Sequence, residues 1–160
     1  MKITRTNLVS GLIVPIVFAL VGLGWSAEAA KAQKPRANAT VQQPIFSEYK
    51  GIRLGMTAKE VRAKLGEPTL KGDDQDLYMI SQTETAQFVY DRRQKTKAIS
   101  IDYTGGVGAP DPKTVVDGEL EVSPRGHYKM VRYNSLGFWV SFNRTAGPVV
   151  VVSITIARID

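Results

Sequence analysis

Few side chains in this sequence could carry covalent or acid–base chemistry. The 160 residues include one histidine, His127, and no cysteine. Without cysteine there is no disulfide, no thiolate nucleophile and no thiolate metal site. With one histidine a multi-histidine zinc site is out of reach. A serine–histidine pair would have to use His127 as base, and no Gly-x-Ser-x-Gly turn is present to present the serine. His127 therefore reads as an exposed histidine at a strand edge, after the turn Ser123-Pro124-Arg125-Gly126.

Two other clusters invite chemistry and lack the spacing for it. Asp73-Asp74-Gln75-Asp76 resembles a calcium loop only in composition. Such a loop needs oxygen ligands at alternate positions, glycine at the sixth and glutamate at the twelfth. Here the fifth and sixth residues are Leu77 and Tyr78, so the cluster reads as a solvated turn. Gly105-Gly106-Val107-Gly108 is glycine-rich, but no Gly-Lys-Ser/Thr follows and the dinucleotide spacing is absent. Pro110 and Pro112 suit a hinge. No cofactor and no metal are expected.

Surface recognition is the better-supported chemistry. In Phe138-Trp139-Val140-Ser141-Phe142-Asn143, strand alternation puts Phe138, Val140 and Phe142 on one face. Trp139, Ser141 and Asn143 share the other. The strand before it can add Tyr133, with Val131 and Lys129, to one such face. An aromatic group among polar neighbours on an open sheet makes a recognition patch. Trp139, Tyr133, Ser141 and Asn143 are the candidate partner-binding residues. The basic tip Arg92, Arg93, Lys95 and Lys97 reads as a solvated hairpin turn that blunts edge-to-edge pairing.

The net charge of +6 would suggest a polyanion partner if the folded part carried it. It does not. Five of the 21 basic groups (Lys2, Arg5, Lys31, Lys34 and Arg36) lie in residues 1–44 with one acid, Glu28. Residues 45–160 then hold 16 basic against 14 acidic groups, with both signs interspersed. No nucleic-acid partner is expected.

Residues 1–30 read as a secretory signal peptide. Lys2 and Arg5 form the basic start, Leu8 to Trp25 is apolar, and Ala27-Glu28-Ala29 is a small-x-small cleavage site. The alternative is an uncleaved inner-membrane anchor, since the apolar stretch is just long enough to span. Residues 31–44 hold no aromatic group and read as a flexible linker. Residues 45–160 form the globular domain, and the expected location is the periplasm or the extracellular space.

Within that domain Thr57 can cap a helix of about eight residues, with Glu60 reaching back to the Thr57 amide. Gly66 supplies the stop and Pro68 prevents continuation. Strand patterns follow at 77–81, 86–91 and 97–103. A second unit opens with Asp111 and Pro112 as cap and first position of a short helix ending at Gly118. It continues with strands at 128–133, 138–144 and 149–158. Gly66-Glu67 and Gly118-Glu119, Tyr90 and Phe142, and Arg92 and Arg144 stand 52 apart. The expected fold class is α+β: short helices on one face of a mainly antiparallel sheet of about six strands, with a helix plus three-strand unit used twice, over 45–104 and 109–160.

The segment Ile52, Leu54, Gly55-Met56-Thr57, Glu60-Val61, Leu65-Gly66 and Pro68 resembles the SmpA/OmlA (BamE-like) family and the related β-lactamase inhibitor proteins. The resemblance implies a helix preceding a small antiparallel sheet and, through the inhibitor proteins, tandem repetition. This chain lacks the lipobox cysteine by which the assembly lipoproteins are anchored. The expected function is an exported, non-enzymatic interaction module that binds a protein partner through an open sheet face. The alternatives are an envelope scaffold related to outer-membrane assembly and a carboxylate-dependent hydrolase.

Overall fold

In the computed structural model, residues 43–159 are described. The candidate signal peptide over 1–30 and the linker as far as residue 42 lie outside the described residues.

The first regular element is helix α1, Ala58–Leu65. It forms where its ends are satisfied locally. The Thr57 side chain accepts from the Glu60 amide, and the Glu60 carboxylate accepts from the Thr57 amide at 2.7 Å. These bonds hold the Glu60 carboxyl below its usual range. Gly66 ends the helix at φ +84°, where a side chain would be strained. At eight residues the helix depends on docking. Its start is tied to a hairpin: the Ala58 amide donates to the Gln94 carbonyl, and the buried Thr96 hydroxyl donates to the Met56 carbonyl.

Eight strands follow. They are β1 (Leu70–Lys71), β2 (Gln75–Met79), β3 (Glu84–Tyr90), β4 (Thr96–Thr104), β5 (Glu121–Ser123), β6 (Gly126–Tyr133), β7 (Phe138–Thr145) and β8 (Val151–Arg158). All pairings are antiparallel, in the order β1-β2-β3-β4-β8-β7-β6-β5. The last strand in sequence therefore sits at the centre of the sheet.

Alternation sorts the central strands onto two faces. Phe88, Ile99, Ile101, Val152, Ile154, Ile156, Val140 and Phe142 are buried on one face. Ala58 and Val61 of α1, Tyr49 and Ile52 before it, and Val115 and Val116 belong to the same core. Full burial of such a side chain stabilises by about 1.5–3 kcal/mol relative to leaving it in water.

These elements overturn the expected fold class. One α-helix, not several, lies in the described residues, and the sheet has eight strands, not about six. The unit of a helix plus three strands is not used twice. Asp111 does cap, and Pro112 does begin a turn, but the product is a single 3₁₀ turn over Pro112–Thr114. The next residues are two β-branched valines and then Asp117-Gly118, with Gly118 at φ +82°. Valine resists the helix by losing rotamer freedom, and glycine stops it. Val115 and Val116 cover the core as irregular chain instead, both fully buried. The two strands not anticipated, β1 and β5, are only two and three residues long.

Candidate interaction face

The second face of the sheet is built from the residues that alternate with the core. Cross-strand register gathers them into rows. One row runs Arg132, Trp139, Ala157, Ala98 and Val89. The next runs Met130, Ser141, Thr155, Ser100 and Gln87. A third runs Tyr128, Asn143, Ser153, Asp102 and Thr85. Two of the three rows are thus dominated by hydroxyl, amide and carboxylate groups. Ser153 donates to Asp102 at 2.5 Å, and the Ser100 and Thr155 hydroxyls lie 3.3 Å apart. At one edge the Gln87 amide donates to Gln75 at 2.7 Å. No helix or strand among the described residues lies over this face. Its central side chains are half-buried, except Ser141, which is buried at 8% exposure.

The sequence-derived site residues divide between the two faces. Trp139, Ser141 and Asn143 come together on the polar face, Trp139 opposite Arg132 and Asn143 opposite Tyr128. Tyr133 does not join them. It pairs with Phe138 on the core face, with ring centroids 5.2 Å apart and 3% exposure. Its phenol is pushed up by burial. The Ile45 backbone approaches its hydroxyl, which nonetheless meets no partner in good hydrogen-bonding geometry. Tyr133 therefore packs on the core face, not beside Trp139 as the sequence suggested. The reason is parity: Tyr133 faces Phe138, and Phe138 lies one residue from Trp139.

His127 is exposed on β6 opposite Arg144. Among the described residues no three His, Asp or Glu side chains gather as a metal site would require. The hairpin tip Arg92-Arg93-Gln94-Lys95 is exposed, and its turn is tied by Asp91, which accepts from the Arg93 and Lys95 amides at 2.8 and 2.9 Å. Those bonds lower the Asp91 carboxyl.

The acidic cluster holds the largest departure from the sequence reading. Asp73 and Asp74 are exposed, as a solvated turn requires, but Asp76 has 0% exposure. Its carboxylate accepts from Arg62 at 2.8 and 2.9 Å and from the Tyr90 hydroxyl at 2.8 Å. The forked contact raises Arg62, and burial followed by the hydrogen bond to Asp76 raises Tyr90. This ion pair clamps α1 onto β2. The signal for it was present: alternation groups Asp76 with Tyr78, away from Gln75, Leu77 and Met79. A second, half-buried carboxylate contact joins the Tyr49 hydroxyl to Glu84 at 2.7 Å. Tyr103, nearby, is pushed up to about 12, chiefly by burial and then by Glu84.

At the end of the core face where β7 begins and β8 ends there is a cleft of about 410 Å³. Leu54, Leu136, Phe138 and Ile156 line it, with Arg53, Arg158 and Ser47 at its polar margin.

No family model matches the chain, and no curated protein does. Among solved structures it is similar to a DUF4309 family protein (YjgB) from Bacillus subtilis subsp. subtilis str. 168. The identity is 17%, over 68% of this chain and 83% of that chain, with a TM-score of 0.47. Among the described residues, no helix is long and apolar enough to cross a membrane.

Proposed function

We propose that the protein is an exported, non-enzymatic interaction module that binds a protein partner through the polar sheet face around Trp139, Ser141 and Asn143. The observation that carries this reading is the face itself. It presents rows of hydroxyl and amide groups with Trp139 and Tyr128 among them, and no described element lies over it. Aromatic anchors within a hydrogen-bonding surface are the composition of protein interfaces, and aromatic residues supply much of their binding energy. The sequence of residues 1–30 supports export, to the periplasm or beyond.

The test is capture from the envelope and secreted fractions by immobilised protein, comparing the native chain with Trp139→Ala and Tyr133→Phe. Loss of the captured partner with Trp139→Ala, and its retention with Tyr133→Phe, is the expected result. Equal capture by all three removes the face from consideration. Fractionation with N-terminal sequencing of the exported protein tests the export step, and an intact residue 1 would speak for an anchor.

A further inference from the structure

The cleft at the end of the core face has a chemistry of its own. Leu54, Leu136, Phe138 and Ile156 give it an apolar wall, and no carboxylate is among its lining residues. Two guanidinium groups stand at its margin, and they are not equivalent. Arg53 is committed to Glu48, with both Nε and Nη2 at 2.6 Å from one carboxylate oxygen. Arg158 has one acidic neighbour among the described residues, Asp91, whose nearer oxygen is 3.6 Å away. That distance is too long for a formed hydrogen bond. The other oxygen of Asp91 is already occupied by two backbone amides. A guanidinium has five N–H donors arranged as a planar fork, and here the fork stands beside an apolar wall, half-exposed, with no hydrogen bond from it to any described residue. Space for it is made by Gly55, where a Cβ would come within 3.3 Å of Nη2.

We infer that this cleft binds a small monocarboxylate with an apolar body. The carboxylate would take the Arg158 fork in the two-bond geometry that guanidinium favours, and the body would lie against Leu136 and Phe138. The volume falls in the range of small-molecule sites. The site lies on the opposite face from Trp139, since Phe138 and Trp139 are adjacent on β7 and point apart. It is therefore independent of the proposed partner face.

The experiment is a titration of the purified full chain with octanoate, octanol and acetate, followed by calorimetry and by backbone amide shifts. Octanoate should bind saturably and at least ten times more tightly than octanol, and acetate should not bind measurably. Shifts should concentrate at residues 53–54, 136–138 and 156–158. Arg158→Gln should weaken octanoate at least tenfold, leave octanol unchanged and leave the circular dichroism spectrum intact, because Arg158 is a surface-accessible residue. Arg158→Lys should weaken octanoate to a lesser degree, keeping the charge but losing the fork. Trp139→Ala should have no effect on octanoate. Absence of saturable octanoate binding, equal affinity for octanol, or full affinity in Arg158→Gln would each overturn the assignment. So would shifts centred on the polar face.

Discussion

The two faces of the sheet are made by the same strands and differ in what they do with polarity. On the covered face the central side chains are aliphatic or aromatic and fully buried, and the one buried carboxylate at its margin, Asp76, is fully partnered. On the other face serine, threonine, glutamine, asparagine and aspartate occupy corresponding positions one residue away. The first face serves stability, because its central side chains pack against one another and its buried carboxylate is satisfied within the chain. The second presents hydroxyl, amide and carboxylate groups, some bonded to one another across strands, and it is the face on which the proposed partner would dock. Neighbouring residues on one strand should therefore respond oppositely to substitution.

The sharpest break in that contrast is Asp76→Ala. It should cost about 3–5 kcal/mol in denaturant unfolding, because Arg62 and Tyr90 lose a buried partner and α1 loses its clamp. Phe142→Ala should cost a comparable 3–5 kcal/mol, whereas Asn143→Ala, one residue on, should stay within about 0.5 kcal/mol. If Asn143→Ala destabilised the protein as Phe142→Ala does, the polar face would be a second core. Thr57→Ala should remove about 1 kcal/mol by uncapping α1.

Alkaline titration gives a smaller, graded test. Tyr103 ionises near 12 in the folded chain against an ordinary value of 10, and Tyr49 and Tyr90 are raised further. Above pH 10 the unfolded chain loses these protons first, so the stability they contribute is complete below pH 10 and falls as pH rises towards 12. Phenolate absorbance should rise in two stages, the later one coinciding with unfolding. A single stage near pH 10 with the fold intact would contradict the burial of these rings.

What could be read in the sequence was what is local. The capping box of Thr57 and Glu60, the stop at Gly66 and the alternation of Ile99, Ile101 and Tyr103 are interactions between near neighbours, and each stands where the residues indicated. The division of Phe138–Asn143 into two faces was legible for the same reason. What depends on pairing between distant strands was not. Tyr133 joins the core because β6 pairs with β7 in a register that sets it opposite Phe138, and no residue of β6 alone specifies that. Asp76 looked like turn because Asp73 and Asp74 precede it, and only Arg62, on another element, makes its burial tolerable. The segment 112–117 carried a cap and a starting proline, so it read as helix. The buried valines prevailed because the core needed Val115 and Val116 more than it needed helical hydrogen bonds there.

The central position of β8 bears on how the chain reaches this state. Ala98 of β4 pairs with Ala157, and Thr104 with Val151, so the two halves of the sheet are joined only through β8, the last strand of the described residues. Until Arg158 has left the ribosome, β4 and β7 each present an open edge, and Ile99 and Ile101 lack half their neighbours. Contacts that span so much sequence slow folding, since the loop must close before the contacts can stabilise it. Pairing of β8 is thus the single event that turns two separate antiparallel ribbons into one continuous sheet.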